Sequence, residues 1–306
     1  MPVSAGPTGW RRPVRVPEQN LEQLEDEGFT LLPGFLEPEV LAAAQNALWQ
    51  VFPRPEVYFA NPDAYPGLCA SQFSGIQLFP YAHWELNRLP VHDDLVDIAR
   101  RFLRSDDLQI YKIELWPKYS GAVDYEQGLH RDFGNHTLAV PSVDPRYRQM
   151  TTFILLSDVT ESDAPTRVVP LSRSRDIPLG VRYPPNGALA AAEVPVVGPA
   201  GSLFLYRTDV FHRGSGFQGE GRSRFAMLTD FMRQGSPWMG KIAWPNQAPR
   251  KGWTDALGRM TLAQRALFGF PAPGDPYWTA QTLADVGLRY PDMDLSPYRM
   301  IVTPST

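Results

Sequence analysis

A chain of 306 residues, 43% of them hydrophobic, carries enough apolar side chain for one large domain or two small ones. A net charge of −4 gives no basic excess for nucleic acid or an anionic membrane, so neither is an expected partner. The single cysteine, Cys69, excludes an intrachain disulfide and a thiolate zinc cluster.

Residues 1–17, with Pro2, Pro7, Pro13 and Pro17 among Arg11, Arg12 and Arg15, read as a flexible arm and lack the apolar run of a signal peptide. Leu21 and Leu24 begin a short helix that Gly28 stops, and Phe29-Thr30-Leu31-Leu32 reads as a strand. Pro38 opens a second helix with Leu41, Ala44, Leu48 and Val51 on one face. Residues 52–90 mix aromatics with Pro and Gly, a pattern of irregular structure packed on a core or a lid over a pocket, and with Trp238, Met239 and Trp244 of the loop 235–250 they are the candidate pocket wall. His92-Asp93-Asp94 precedes Leu95, Ile98, Ala99 and Phe102, the spacing of a helix face, and is read as the start of that helix.

From residue 108 the pattern becomes β-like. Leu108–Trp116 is rich in β-formers, a strand carrying His130 is expected over about 128–139, and further strands are expected at 151–156, 168–169, 194–197, 202–206 and 224–229. Short strands separated by Gly, Pro and Asp turns, without helices between them, predict a mainly β fold, an antiparallel jelly roll or barrel with flanking helices. Thr261-Leu262-Ala263-Gln264 fits a capping box. The expected layout is the arm 1–17, then a single domain 18–306 with its β core at about 108–235 and a helical and loop extension at about 236–306.

His130-Arg131-Asp132 is the informative motif. On a strand, the two-residue period would point His130 and Asp132 to one face, and His212 is a third candidate ligand. Two imidazoles and one carboxylate on one face of an octahedral metal leave three positions open, the donor set of non-haem Fe(II) oxygenases. Arg222 and Arg224 follow, and either guanidinium suits bidentate capture of the far carboxylate of a chelating 2-oxo acid. Singly, each histidine reads more simply as an ordinary hydrogen-bonding residue. His136, Lys118, Tyr125 and Gln127 cluster near the motif as possible substrate contacts or supports.

The chain resembles the phytanoyl-CoA dioxygenase family of Fe(II)/2-oxoglutarate oxygenases. The resemblance rests on Gly28–Leu36, Gln127-Gly-Leu-His130-Arg-Asp132, Thr151–Val159, Pro165–Arg173, Pro199–Leu205, and His212 through Leu228, in that order over roughly 20–235. It implies a double-stranded β-helix, a distorted jelly roll related to cupins. It also implies His130, Asp132 and His212 as ligands of Fe(II), and 2-oxoglutarate held by Arg224 with Ser215, whose nine-residue spacing matches the family better than Arg222 does. Two segments depart from the family pattern: Pro170-Leu171-Ser172-Arg173 replaces Pro-Gly-Ser-His, and Arg213 follows the distal histidine. Asp132 stands where halogenase relatives have a small residue. The implied reaction is hydroxylation of a small-molecule substrate by O2, with 2-oxoglutarate decarboxylated to succinate. A cupin-type enzyme using another divalent metal and a non-catalytic jelly-roll binding protein are the alternatives. No stretch of 18 apolar residues occurs, so a cytoplasmic monomer or homodimer is expected.

Overall fold

The computed structural model describes residues 17–122, 125–138, 141–185, 187–236, 239–244 and 252–299. The arm expected over 1–17 lies outside the described residues but for Pro17. The N-terminal part holds α1 (Glu18–Asp26), β1 (Phe29–Leu32), α2 (Pro38–Val51), α3 (Pro55–Ala60), β2 (Gln77–Leu78), α4 (Trp84–Asn87) and α5 (Asp93–Leu103). The central part holds β3 (Leu108–Tyr119), α6 (Phe133–His136), β4 (Gln149–Leu155), β5 (Thr166–Val168), β6 (Val194–Pro195), β7 (Leu203–Arg207), β8 (His212–Gly214) and β9 (Ser223–Arg233). Four helices follow: α7 (Gly252–Arg259), α8 (Leu262–Ala266), α9 (Ala280–Arg289) and α10 (Ser296–Arg299).

The strands form two antiparallel sheets. One has six strands in the order β1-β7-β4-β9-β3-β2, the other three in the order β6-β5-β8. A large and a small antiparallel sheet flanked by helices is the jelly-roll architecture that the strand pattern predicts. β1 to β4 all belong to the large sheet, after which the chain crosses between the sheets: β5 and β6 in the small one, β7 in the large, β8 in the small and β9 in the large.

The two faces of the large sheet differ, and the register says how. Lys118 opposes Arg224, Trp116 opposes Ala226, Glu114 opposes Leu228 and Lys112 opposes Asp230. With a period of two, these residues share the inner face, while Ile113, Leu115, Phe225, Met227 and Phe231 share the other. The second set belongs to the main apolar core, against which α2, α5 and the C-terminal helices pack. A strand buried on both faces thus sends its polar residues inward, to the barrel interior.

The helix starts follow the sequence signals. His92 is the N-cap of α5, its imidazole accepting from the Asp94 N–H at 3.2 Å, so this His-Asp-Asp triplet is a cap. Thr261 and Gln264 form the capping box of α8. Gly28 ends the first helical unit at φ +79°, and a Cβ there would lie 2.3 Å from Val210 Cγ2. The turn therefore needs both the left-handed backbone and the missing side chain.

One expectation fails. The segment 128–139 is not a strand: its described residues make only two isolated bridges, His130 to His212 and Thr137 to Met239, Asp132 has helical dihedrals, and α6 follows at once. The aromatics of 52–90 pack on the core outside the barrel, the first of the two readings of that stretch. Phe52, Tyr58, Phe79 and Tyr81 are buried in the core, where Phe79 meets Trp244, Trp253 and Phe268. The apolar gain from closing the barrel against its extensions outweighs the irregular backbone of this Pro-rich stretch.

Candidate metal centre

Three donors converge at the mouth of the barrel. His130 and His212 are directly opposite one another, and their backbones exchange two hydrogen bonds of 3.0 and 2.9 Å. This single bridge does for His130 what a whole strand would have done. The chain then turns helical, and the turn brings Asp132 back beside both rings. Asp132 Oδ1 lies 3.7 Å from His130 Nε2 and Asp132 Oδ2 lies 3.5 Å from His212 Nε2.

The two Nδ1 atoms are spoken for. That of His130 meets the Gly128 carbonyl at 2.9 Å and that of His212 meets the Val210 carbonyl at 3.1 Å. With a proton on each Nδ1, both Nε2 lone pairs point at the same space, the arrangement in which a second bond fixes the tautomer of a metal-binding imidazole. All three donor atoms lie within 4.8 Å of one another, and this is the one such metal-competent group among the described residues. Adjacent donors of an octahedral site with bonds of about 2.1 Å sit about 3 Å apart, so a small contraction closes the set. The chemistry of the donors fits a divalent cation.

The charges agree. Burial alone would raise the Asp132 carboxyl, but His212, His136, Lys112 and His130 around it hold it well below the usual carboxylate range. Burial pushes the His212 imidazole down to about 4, which keeps it neutral at neutral pH. An ionised carboxylate and a neutral imidazole are the forms that bind a metal.

Tyr206 supports this set and was not singled out from the sequence. Its hydroxyl donates to Asp132 Oδ2 at 2.9 Å and lies 3.4 Å from His212 Nε2. It sits in a row of polar inward residues across four neighbouring strands: Lys112, Asp230, Thr151 and Tyr206. Lys112 Nζ pairs with Asp230 Oδ2 at 2.9 Å, and both groups are almost wholly buried. Burial pulls Lys112 down, but Asp230, Asp132 and Glu114 outweigh it and hold the amine protonated. The missed signal was the two-residue spacing of Lys112, Glu114, Trp116 and Lys118, which reads equally as a solvated strand face. His136 belongs behind the site: it is fully buried, with Nδ1 3.0 Å from the Tyr111 hydroxyl.

The triad opens into a cavity of about 470 Å³. At one end lie Arg224, Lys118, Gln127 and Thr166; the wall also includes Phe73, Ile76 and Trp116. Arg224 is buried, donates to the Ala164 carbonyl and makes no ion pair among the described residues. Burial pushes its guanidinium down to about 10, still charged at neutral pH. Arg222 is different: it is half-exposed, bound to Asp163 at 2.8 Å and absent from the cavity wall. Ser215 is buried too, but its hydroxyl donates to the Pro165 carbonyl at 2.6 Å, beside the carbonyl that Arg224 holds. Tyr125 lies 5.1 Å below Lys118 Nζ. Trp238 lies outside the described residues, while Trp244 is a core residue.

A larger cavity of about 670 Å³ lies beside the loop that carries His130 and Asp132 and contains none of the three donors. Arg131 borders it, donating to the Pro178, Leu179 and Val181 carbonyls with its guanidinium 3.9 Å from the Phe211 ring centre. These bonds tie segment 178–181 to the loop that carries His130 and Asp132.

A jelly roll with two imidazoles and a carboxylate facing its interior is the architecture of non-haem metal oxygenases. The profile of the family described as phytanoyl-CoA dioxygenase (PhyH) matches residues 24–226, and the chain belongs to that family. EctD from S. alaskensis, solved with 2-oxoglutarate and 5-hydroxyectoine, is similar in structure with a TM-score of 0.56 at 19% identity, over 78% of this chain and 86% of its own. The α-ketoglutarate-dependent carbocyclase SnoK from nogalamycin biosynthesis superposes with a TM-score of 0.54 at 15% identity, over 79% and 94%. The epimerase SnoN, solved with Fe3+, α-ketoglutarate and nogalamycin RO, gives 0.53 at 15%, over 74% and 87%. At these identities the likeness is one of fold. No curated protein matches the sequence. Among the described residues, no helix is long and apolar enough to cross a membrane.

Proposed function

We propose that this protein is an Fe(II)/2-oxoglutarate-dependent oxygenase that hydroxylates a small molecule. The observation that carries the reading is the convergence of His130, Asp132 and His212 in one cavity whose far end holds the buried Arg224, which makes no ion pair among the described residues. The family membership and the cofactors named for EctD and SnoN support it.

His130 and His212 would bind Fe(II) through Nε2, and Asp132 through its carboxylate. When bound, the iron supplies O2 activation coupled to decarboxylation, so that R–H, O2 and 2-oxoglutarate become R–OH, CO2 and succinate. The protein's own residues do the rest. Tyr206 and the two carbonyls at Gly128 and Val210 hold the ligands in one orientation, so little reorganisation is needed when the metal arrives. Arg224 would take the distal carboxylate of 2-oxoglutarate, with Lys118 as the second cation at that end. Ser215 acts at one remove, by fixing the 164–165 backbone against which Arg224 rests. Phe73, Ile76 and Trp116 would exclude water around the reacting C–H bond.

The test is succinate formation from 2-oxoglutarate by the purified protein. It should require Fe(II) and O2, rise with an accepted substrate and vanish in Asp132→Ala. Succinate formation that persists in Asp132→Ala, or none at all with the iron-loaded wild type, would overturn the reading.

A further inference from the structure

Most of the described arginines are answered by a carboxylate or by carbonyls: Arg101 by Glu18, Arg148 by Glu25, Arg207 by Asp209 and Arg222 by Asp163. Two cations on the cavity wall are not. Arg182 and Lys241 make no ion pair among the described residues, and the Arg182 Nε is buried without an acceptor. An enclosed guanidinium N–H without a partner is costly unless a ligand supplies one.

Both cations are placed by backbone, not by chance. The Arg182 carbonyl accepts from the Arg131 N–H at 3.0 Å, which locks residue 182 onto the loop carrying His130 and Asp132. Its stem lies on Gly134, where a Cβ would fall 2.6 Å from Arg182 Cδ, so the missing side chain is what admits it. Its head sits 5.1 Å from the Tyr183 ring centre. Lys241 is held between two backbone bonds, Gly240 N–H to the His136 carbonyl at 2.9 Å and Ile242 N–H to the Tyr111 carbonyl at 3.2 Å. Asn135 lines the same wall. The cavity's carboxylates do not answer these cations. Glu114 accepts from Trp116 Nε1 and acts on Lys112, while Glu126 binds Arg213.

We propose that Arg182 and Lys241 form an anion subsite for the prime substrate, separate from the Arg224 end. The substrate is accordingly a small acid, carrying a carboxylate or phosphate head and an apolar body that lies against Phe73, Ile76 and Trp116. This assignment rests on the oxygenase reading for the location of the reacting iron, but anion binding itself does not require turnover.

The experiment measures binding of phenylacetate, phenyl phosphate and 2-phenylethanol by calorimetry, at fixed ionic strength, without O2. The protein is loaded with Fe(II) and saturated with 2-oxoglutarate, so that the Arg224 end is filled. At least one of the two anions should bind about tenfold or more tightly than the alcohol, and which one does so identifies the head group. Arg182→Gln should erase that preference, Arg182→Lys should keep part of it, and Lys241→Gln, at an exposed position, should reduce it several-fold. Alcohol affinity should not change. The inference falls if neither anion outbinds the alcohol, or if Arg182→Gln and Lys241→Gln leave the preference intact. Titration of 2-oxoglutarate itself reads the oxygenase proposal separately. Intact 2-oxoglutarate binding with no anion preference sinks the subsite alone. If 2-oxoglutarate does not bind, the oxygenase reading fails, and the same comparison in metal-free protein still decides the role of Arg182.

Discussion

At the scale of single residues, the site depends on which polar atoms are already committed. Tyr206 spends its hydroxyl on Asp132 Oδ2. Tyr206→Phe should therefore weaken Fe(II) binding by about 10- to 100-fold, the usual cost of losing such a support, with the fold intact by circular dichroism. Alternation alone would not distinguish Arg224 from Arg222, two residues apart, but Arg222 precedes β9 while Arg224 lies on it. Their partners separate them, since Arg222 is neutralised by Asp163 while Arg224 faces the cavity. Arg224→Ala should raise the 2-oxoglutarate Kd by roughly one to two orders of magnitude, about 1.4 kcal/mol per tenfold, leaving iron affinity unchanged. Arg222→Ala should change the 2-oxoglutarate Kd little. Calorimetric titration of both variants checks this, and the reverse order would reassign the arginine. The three candidate ligands could be picked out in the sequence because spacing and residue type mark them, and the fold brings them together. Tyr206 and Arg182 could not, because a tyrosine in a β-strand and an arginine in a loop have no period that marks a role.

At the scale of elements, strands are legible where runs of β-formers buried on both faces lie between turn residues, as at β4, β7 and β9. The sequence misplaces the segment 128–139, because a single bridge at His130 suffices to aim the ring and the helical turn at Asp132 does the rest. The period-two argument thus selects residues that do converge, but through a geometry the chain does not adopt. Segment 52–90 shows the opposite gap: irregular backbone hides its contribution to the core, since no periodicity marks it. Phe79 is fully buried, stacked on Phe268 at 5.2 Å and edge-on to Trp253. Phe79→Ala should cost about 3–5 kcal/mol of stability, read by denaturant unfolding, with 2-oxoglutarate affinity preserved in the folded protein. A loss of cosubstrate affinity at full stability would instead place this aromatic cluster in the site.

At the scale of the whole molecule, the barrel pays for its site by burying titratable groups on its inner face. In the metal-free protein, burial lowers His212 to about 4 and, with Lys112 beside it, lowers His136 to about 3. Burial raises Asp230 to about 6 against the pull of Lys112. Near pH 5, unfolding lets both histidines take up protons and lets Asp230 release one, so net uptake is about one proton. Stability should therefore rise with pH across this acidic range, by about 1.4 kcal/mol per unit for each proton. His136→Phe should flatten the slope, as measured by thermal melts of metal-free protein from pH 4.5 to about 6. A slope of opposite sign would mean that these groups are not buried as described. The central claim is tested most directly by anomalous diffraction at the iron edge from crystals grown with Fe(II). One peak should lie among His130 Nε2, Asp132 and His212 Nε2, with none at His92. A peak elsewhere, or the same peak retained in Asp132→Ala, would contradict the assignment of the metal centre.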